Sequence, residues 1–495
     1  MILKTRCLNI RTGGALVCIL NEKDAEAMNI YNGDRVILKH RNREVVAIAD
    51  VSSEIIKKGM VGLFYETFKE LGVKNNQNIF LLIAQKPESI NYIKEKLDGK
   101  KLDFDKIKSI IKDITEKKLS DTEITYFISA CYPNRLSKKE IVYLAQSMVE
   151  TGERISFNSK YVMDVHCIGG VPGNRTTMLI VPIIAAYGLK IPKTSSRAIT
   201  SPAGTADTME VLSDVAFGIE RIKRIVEEVN GCIIWGGSVA LAPADDKIIK
   251  IEKLLSIDSE GQMTASILAK KKSVSANNVL LDIPVGPGSK ATNLKQAYGL
   301  KKKFEFTASN LGINLKVVFS NGSQPIGNGI GPALEARDVL WCLEKDERAP
   351  KDLILKSLKM SALMIMMVKR MSFNYAFSIA KKLLDSGVAH KKMLEIIEAQ
   401  KPKIKESSKI KLGNFSKDVV AEKSGRVVGI DNILISRVAR AAGSPSDARA
   451  GIYLYKHLKD FVREKEPLYT IYAENKEKLE FAFSIAEQNK GILIK

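Results

Sequence analysis

From about residue 160 the chain repeats one pattern: a short β-rich run, a loop of glycines and hydroxyls, then a helical run. YVMDVHCIGG is strand and glycine loop, TTMLIVPIIAAYGL an apolar helix, IPKTSS strand and loop, and TADTMEVL the start of another helix. GCIIWGG, VLLDIPVGPG and LKVVFSNGS are later β runs that also end in Gly/Ser loops. Such alternation restricts the chain to an α/β fold with a mostly parallel sheet wrapped by helices. In open sheets of this kind ligands sit at the carboxyl ends of the strands, and the unusual loops all fall there.

At 495 residues the chain exceeds what one core supports, so a multidomain protein is expected. Residues 1–85 read as a small N-terminal β-rich domain, from ALVCIL, DRVILKH, VVAIADV and IFLLIA, with NGD at 32–34 as a turn. Residues 86–158 read as a helical lobe, joined by further helices from the 207–230 region. Within it, apolar residues of FDKIKSIIKDITEKKLSDTEITYFISACY recur at spacings of three and four. Ser120 with Glu123, and Ser137 with Glu140, have the spacing of capping boxes. Residues 159–395 form the α/β catalytic domain, roughly 397–412 a linker, and 412–495 a C-terminal α+β domain.

Several function classes are disfavoured. No run of eighteen apolar residues suggests a membrane span, and the N-terminus MILKTRCLNI lacks the pattern of a secretory signal. The net charge of +21 is compatible with nucleic acid or anionic substrates. The lysines are scattered, however, without an aromatic-interleaved basic tract, so a solvated lysine-rich surface accounts for the charge and no nucleic-acid partner is expected. The six cysteines include no CxxC pair, and the four histidines are far apart, so neither a disulfide framework nor a metal centre is expected. A reducing cytoplasm fits this cysteine usage.

Three loops carry candidate chemistry. In HCIGGVPGNRTT (166–177), Gly169, Gly170 and Gly173 permit close approach of an anion, Thr176 and Thr177 add hydroxyls, and the next helix aims its N-terminus at the same spot. A plain glycine turn is the competing reading; the loop is neither GxxxxGK[ST] nor GxGxxG. SSRAITSPAGT (195–205) places Ser195, Ser196, Thr200, Ser201 and Thr205 around Arg197; alone it could be a solvated loop, but two such loops at successive strand ends favour a shared anion site. In SIDSEGQMTASILAKK (256–271), Asp258 precedes a helix on which Ser266 and Lys270 lie one turn apart. From spacing alone, Asp258 reads as a helix cap rather than a general acid.

With these loops, LAPAD (241–245), SQPIGNGIGPALEARDVL (323–340) and the LSDTEI helix, the chain resembles the thymidine/pyrimidine-nucleoside phosphorylase superfamily over nearly its whole length. The extra N-terminal domain and the GGVPGN loop make it most similar to the archaeal AMP phosphorylases within it. That resemblance implies conversion of AMP and inorganic phosphate to adenine and ribose 1,5-bisphosphate, with CMP and UMP as further substrates and no cofactor or metal. It implies nucleotide binding by Gly170, the segment Ser196, Arg197, Ala198, Ile199, Thr200 and Ser201, then Thr205, Ser266 and Lys290. It also implies that Asp258 is the proton donor, against the capping reading. Ser195, Thr205 and Thr177 match phosphate-site hydroxyls of the nucleoside enzymes, and Lys270 a lysine that contacts the pyrimidine. The chain departs from those enzymes at Val165 (lysine there), Cys167 (serine) and Ile251 (a base-reading arginine), which argues against strict pyrimidine-nucleoside use. The resemblance further implies a homodimer through the helical lobe and larger homo-oligomers through residues 1–85. Two other readings remain at this point. A pyrimidine-nucleoside phosphorylase would share the chemistry, and a phosphoribosyltransferase would need an acidic metal loop that is not apparent.

Overall fold

The computed structural model describes every residue except Ile199, Thr200, Ser256 and Asp258, together with the side chain of Leu255. It divides into two compact units, residues 1–147 with 244–259, and residues 148–243 with 260–495.

In the first unit six strands close into a barrel. They are β1 (Ile2–Cys7), β2 (Val17–Asn21), β3 (Asp34–His40), β4 (Arg43–Ser52), β5 (Met60–Leu63) and β6 (Asn78–Ile83), in the order β1-β5-β2-β4-β3-β6. Side chains alternate across a strand, so Leu3, Ile79 and Leu81 enter a core with Leu20, Val36 and Leu38. Their neighbours Ile2, Phe80 and Leu82 stay exposed. The barrel carries short helices α1 (Glu22–Glu26) and α2 (Tyr65–Leu71). Helices α3 (Ser89–Leu97), α4 (Phe104–Thr115), α5 (Asp121–Cys131) and α6 (Lys138–Glu150) follow. Both capping boxes are present: Glu123 accepts from Ser120 N at 2.8 Å, and Glu140 from Ser137 N at 2.8 Å. Glu140 has a second role. Its Oε1 accepts from Lys96 Nζ at 2.6 Å and from Leu102 N at 3.0 Å, so one buried carboxylate ties three segments together.

One boundary differs from the sequence reading. The later helix that joins this unit is α10 (Pro243–Leu255), where Lys247 pairs with Asp121 at 2.9 Å. The helices of the 207–230 region, α8 (Thr205–Leu212) and α9 (Ile219–Val229), belong to the second unit. The reason is the one-sided stripe Ile222, Ile225 and Val226 of α9, which is buried in that unit, while Met209 and Leu212 of α8 enter its core.

The second unit is built on parallel strands. β7 (Met163–Cys167), β10 (Asn278–Val285) and β11 (Asn314–Asn321) pair in the order β11-β10-β7, and β8 (Ile191–Ser195) pairs with β9 (Gly231–Trp235). A parallel bridge between Val162 and Lys190 links the two sets. The apolar α7 (Thr176–Ala186) is buried over ten successive residues, which is why its sequence shows no polar face. It packs in a core with α13 (Pro332–Glu344), α14 (Lys351–Val368), α15 (Phe373–Asp385) and α16 (Val388–Ala399). Helices α11 (Glu260–Ser273) and α12 (Leu294–Asn310) precede and follow β10.

The supposed linker is not a free tether. Gln400 is fully buried, accepting from Ile233 N at 2.8 Å and donating to Ile233 O and Asp214 O at 2.9 Å. A polar, lysine-rich composition concealed this anchor. Beyond it, β12 (Gly329–Ile330), β13 (Phe415–Val420), β15 (Gly451–Leu454) and β17 (Pro467–Ala473) form one sheet, ordered β12-β15-β17-β13. β14 (Gly425–Ile430), β16 (Phe461–Val462) and β18 (Ile492–Ile494) form another, ordered β16-β14-β18. Helices α17 (Asn432–Ala441) and α18 (Lys476–Gln488) share their core. The GNGI segment thus lends a strand to the C-terminal sheet. Among the described residues no helix is long and apolar enough to cross a membrane.

Candidate active site

The loops after β7, β8 and β10 enclose, with one face of α17, a cavity of about 420 Å³ in the second unit. That is within the usual range for small-ligand sites. Gly170 sits where the first and third loops meet. Its φ is +92°, and an added Cβ would lie 2.5 Å from Ser289 Cα and 2.9 Å from Lys290 N, so only glycine fits. Thr177, Ser195, Ser196, Ser201 and Thr205 all line the cavity, as does Lys290. The N-terminus of α7 opens into it, and amides there favour an anion.

Arg175 holds the first two loops together. Its Nε pairs with Glu335 and donates to Thr208 Oγ1 at 3.1 Å, and its Nη2 donates to the carbonyl of Ala203. Glu335 is buried, and accepts also from Thr208 Oγ1 at 2.9 Å and Gly331 N at 3.3 Å. Burial raises its carboxyl above the usual value, against the pull of Arg175.

The second loop is shaped by Asp207, which accepts from Ala198 N at 2.7 Å and Gly204 N at 2.8 Å. Arg197 turns the same way. Its Nη2 donates to Glu210 Oε1 at 2.8 Å, its Nη1 to Asp207 Oδ1 at 3.2 Å, and its guanidinium stacks 4.9 Å from the Trp235 ring centroid. Arg197 and Ala198 therefore line a second, separate cavity beside Pro332 and Pro445. Ser266 and Lys270 lie half-buried on α11 and are not among the residues lining the first cavity. Ile199, Thr200 and Asp258 lie outside the described residues.

Several wall residues escaped the sequence reading. From α17, Asn432, Ile433, Ser436 and Arg440 face the cavity; they sit in what read as a remote C-terminal domain. From the floor come His166 and Lys193. Lys193 is buried within β8, where a lysine inside the apolar run IPKTS was the available signal. Burial, followed by the lysines 193, 271 and 270, pushes the His166 imidazole well below its usual value. Cys167 accepts from Asn174 Nδ2 at 3.1 Å, and burial, then Asp282, pushes its thiol up to about 12, so it is no nucleophile near neutrality. Val165 and Ile251 are both buried apolar residues.

Three family models match the chain: the helical bundle domain of the glycosyl transferase family at 90–152, its a/b domain at 159–276, and the pyrimidine nucleoside phosphorylase C-terminal domain at 427–493. An AMP phosphorylase of Methanocaldococcus jannaschii is 40% identical over 98% of this chain and 96% of its own length. The chain belongs to the thymidine/pyrimidine-nucleoside phosphorylase superfamily. AMP phosphorylase 1 of Archaeoglobus fulgidus is 42% identical over 97% of this chain and 95% of its own length. A putative thymidine phosphorylase of Legionella pneumophila strain Paris is 40% identical over 99% and 95%. The fold extends further: anthranilate phosphoribosyltransferase from Thermus thermophilus superposes with a TM-score of 0.53 at 16% identity, over 62% of this chain and 98% of that one. The a/b-domain match at 159–276 spans the loops after β7 and β8 whose hydroxyls line the cavity.

Proposed function

We propose that this chain phosphorolyses nucleoside 5′-monophosphates, converting AMP and inorganic phosphate to adenine and ribose 1,5-bisphosphate, with CMP and UMP as further substrates. The observation that carries the reading is a single cavity with cationic groups at two places. Lys193 lies at the floor, beside Thr177, Ser195 and Thr205, while Lys290 and Arg440 stand exposed at the wall. A nucleoside brings one anion to such a site, the attacking phosphate. A nucleotide brings two.

In this reading an oxygen of inorganic phosphate, held by Thr177, Ser195, Thr205 and the α7 amides, attacks C1′ as the bond from C1′ to the base nitrogen breaks. The transition state resembles an oxocarbenium ion. Adenine leaves with the bonding pair and takes a proton at N7 from Asp258, help of a kind worth about 10²–10⁴-fold. Gly170, Ser196, Ser201 and Lys290 hold the nucleotide; the set implied by the family also includes Ser266 and the 197–200 segment, but Arg197 and Ala198 line the second cavity and Ser266 is not among the residues lining the first. The exposed Ile2, Phe80 and Leu82 of the barrel support self-association through residues 1–85, and α5 exposes Tyr126 for a dimer through the helical lobe. The reduced cysteines fit a cytoplasmic protein.

The test is a side-by-side assay of AMP, CMP, UMP, adenosine and thymidine with phosphate, with the sugar product identified. The reading predicts ribose 1,5-bisphosphate from AMP. Thymidine turnover with AMP inert would transfer the chain to the pyrimidine-nucleoside branch.

A further inference from the structure

The floor of the cavity holds more positive than negative charge. Asp164 on β7 is completely buried, and so, within a few per cent, are Lys193 on β8 and Lys271 on α11. Lys271 takes the carboxylate: its Nζ lies 2.8 Å from Asp164 Oδ2, and also 3.3 Å from Thr194 O and 3.4 Å from Thr194 Oγ1. Lys193 is left at 3.6 Å from Asp164 Oδ1, too far for a good hydrogen bond, and of the two lysines it is the one that lines the cavity. Two ammoniums thus share one carboxylate in a site shielded from water, where an unbalanced charge is costly.

We infer that Lys193 is the residue that delivers positive charge to inorganic phosphate, its Nζ completing the floor of the site formed by Thr177, Ser195 and Thr205. An arriving anion neutralises the excess and gives Nζ an acceptor closer than the Asp164 carboxylate at 3.6 Å. The residue also explains a departure. Val165, where the nucleoside enzymes carry a lysine, is buried in the core beneath α7. The cation here comes instead from the neighbouring strand. This assignment rests on the phosphorolysis reading for the identity of the anion, but not for its place.

The same surroundings make the charge titratable. Burial, then the Lys271 ammonium, pulls Lys193 from the ordinary 10.5 down to about 7, with Asp164 opposing. The other ionisable groups around it are His166 beside Asp164 on β7, Lys270 on α11, Cys232 on β9 and the Arg175–Glu335 pair of the cavity wall. His166 is held well below its usual value and Cys232 well above, so neither changes charge near neutrality. A lysine with a lowered value is charged below it and loses its charge as pH rises through it. Anion affinity should fall accordingly above about pH 7.

The experiment is calorimetric titration of the full chain with inorganic sulfate and, separately, inorganic phosphate, between about pH 6 and 9. Sulfate stays a dianion throughout, so its profile reports the protein alone. The expected result is sulfate affinity falling up to about tenfold per pH unit above about 7, the limit for one required proton. Lys193→Met should lose at least roughly tenfold at the low-pH end and show a flat profile, whereas Lys193→Arg, charged at every pH, should keep affinity at about pH 9. A flat sulfate profile for the unmodified chain overturns the inference even if neither variant folds, as does a folded Lys193→Met that binds like the parent. No nucleotide is needed, so sulfate binding with this profile but no AMP turnover would sink the proposed reaction and leave Lys193 in place. AMP turnover with a flat profile would do the reverse.

Discussion

Arg175→Met removes the tie between the two hydroxyl-bearing loops. Glu335 is about 1% exposed, so the substitution leaves a buried carboxylate without its cation. Removing one partner of a buried pair costs about 3–5 kcal/mol. Thr208 Oγ1 and Gly331 N still donate to Glu335, each worth about 1 kcal/mol. A net loss of about 1–3 kcal/mol follows, or a shift of roughly 0.3–1 M in urea midpoint if the slope is about 3 kcal/mol per M. The sign of the pH effect is also fixed. Burial already raises Glu335 above 4.5, and losing Arg175 raises it further. A carboxyl raised on folding favours the native state below its unfolded value and opposes it as pH rises through the folded one. The deficit should therefore be larger at about pH 7 than at about pH 5, because the raised Glu335 carboxyl gains protons as pH falls toward its folded value. Urea unfolding followed by circular dichroism at the two pH values measures both. Adding Glu335→Gln should return at least half of the loss, because the stranded charge is gone. An Arg175→Met midpoint equal to that of the parent at pH 7 would refute the reasoning.

Asp258→Asn should leave the protein folded and lower AMP turnover by about 10²–10⁴-fold with little change in phosphate affinity, read from initial rates at varied phosphate; near-native turnover would remove Asp258 as the acid. In the first unit, Glu140→Ala should cost about 3–5 kcal/mol by stranding the buried Lys96 ammonium, seen as earlier urea unfolding. Burial pushes the Glu140 carboxyl up, but Lys96 and the amides of Leu102 and Ser137 outweigh it and hold it below 4.5. Its contribution is present above that value and fades as pH falls through the folded one, so Glu140→Gln should flatten the acid limb of the stability curve.

The sequence made the parallel core legible because its strands are buried on both faces and end in glycine loops, as β7, β8 and β10 do. It concealed β1 and β5, whose runs ILKTRC and MVGL are short or interrupted by charge; only closure of the barrel assigns them. At the site, local signals identified the hydroxyls and Gly170, since close backbone approach requires that glycine. They could not identify Arg440, Ser436 and Asn432, because α17 reaches the cavity through tertiary packing. Nor could they show that Arg197 turns to Glu210 and Trp235. An arginine amid hydroxyls suggests an anion ligand, and only the distance to two carboxylates shows that its charge is already met.

The central claim is that two anions settle at two places in one cavity. A crystal structure of the full chain with AMP and sulfate decides this. Sulfate should lie within hydrogen-bonding distance of Ser195, Thr205 and Lys193, with the AMP phosphate beside Lys290 and Arg440 in the same cavity. Either anion bound outside the loops after β7, β8 and β10 would contradict it.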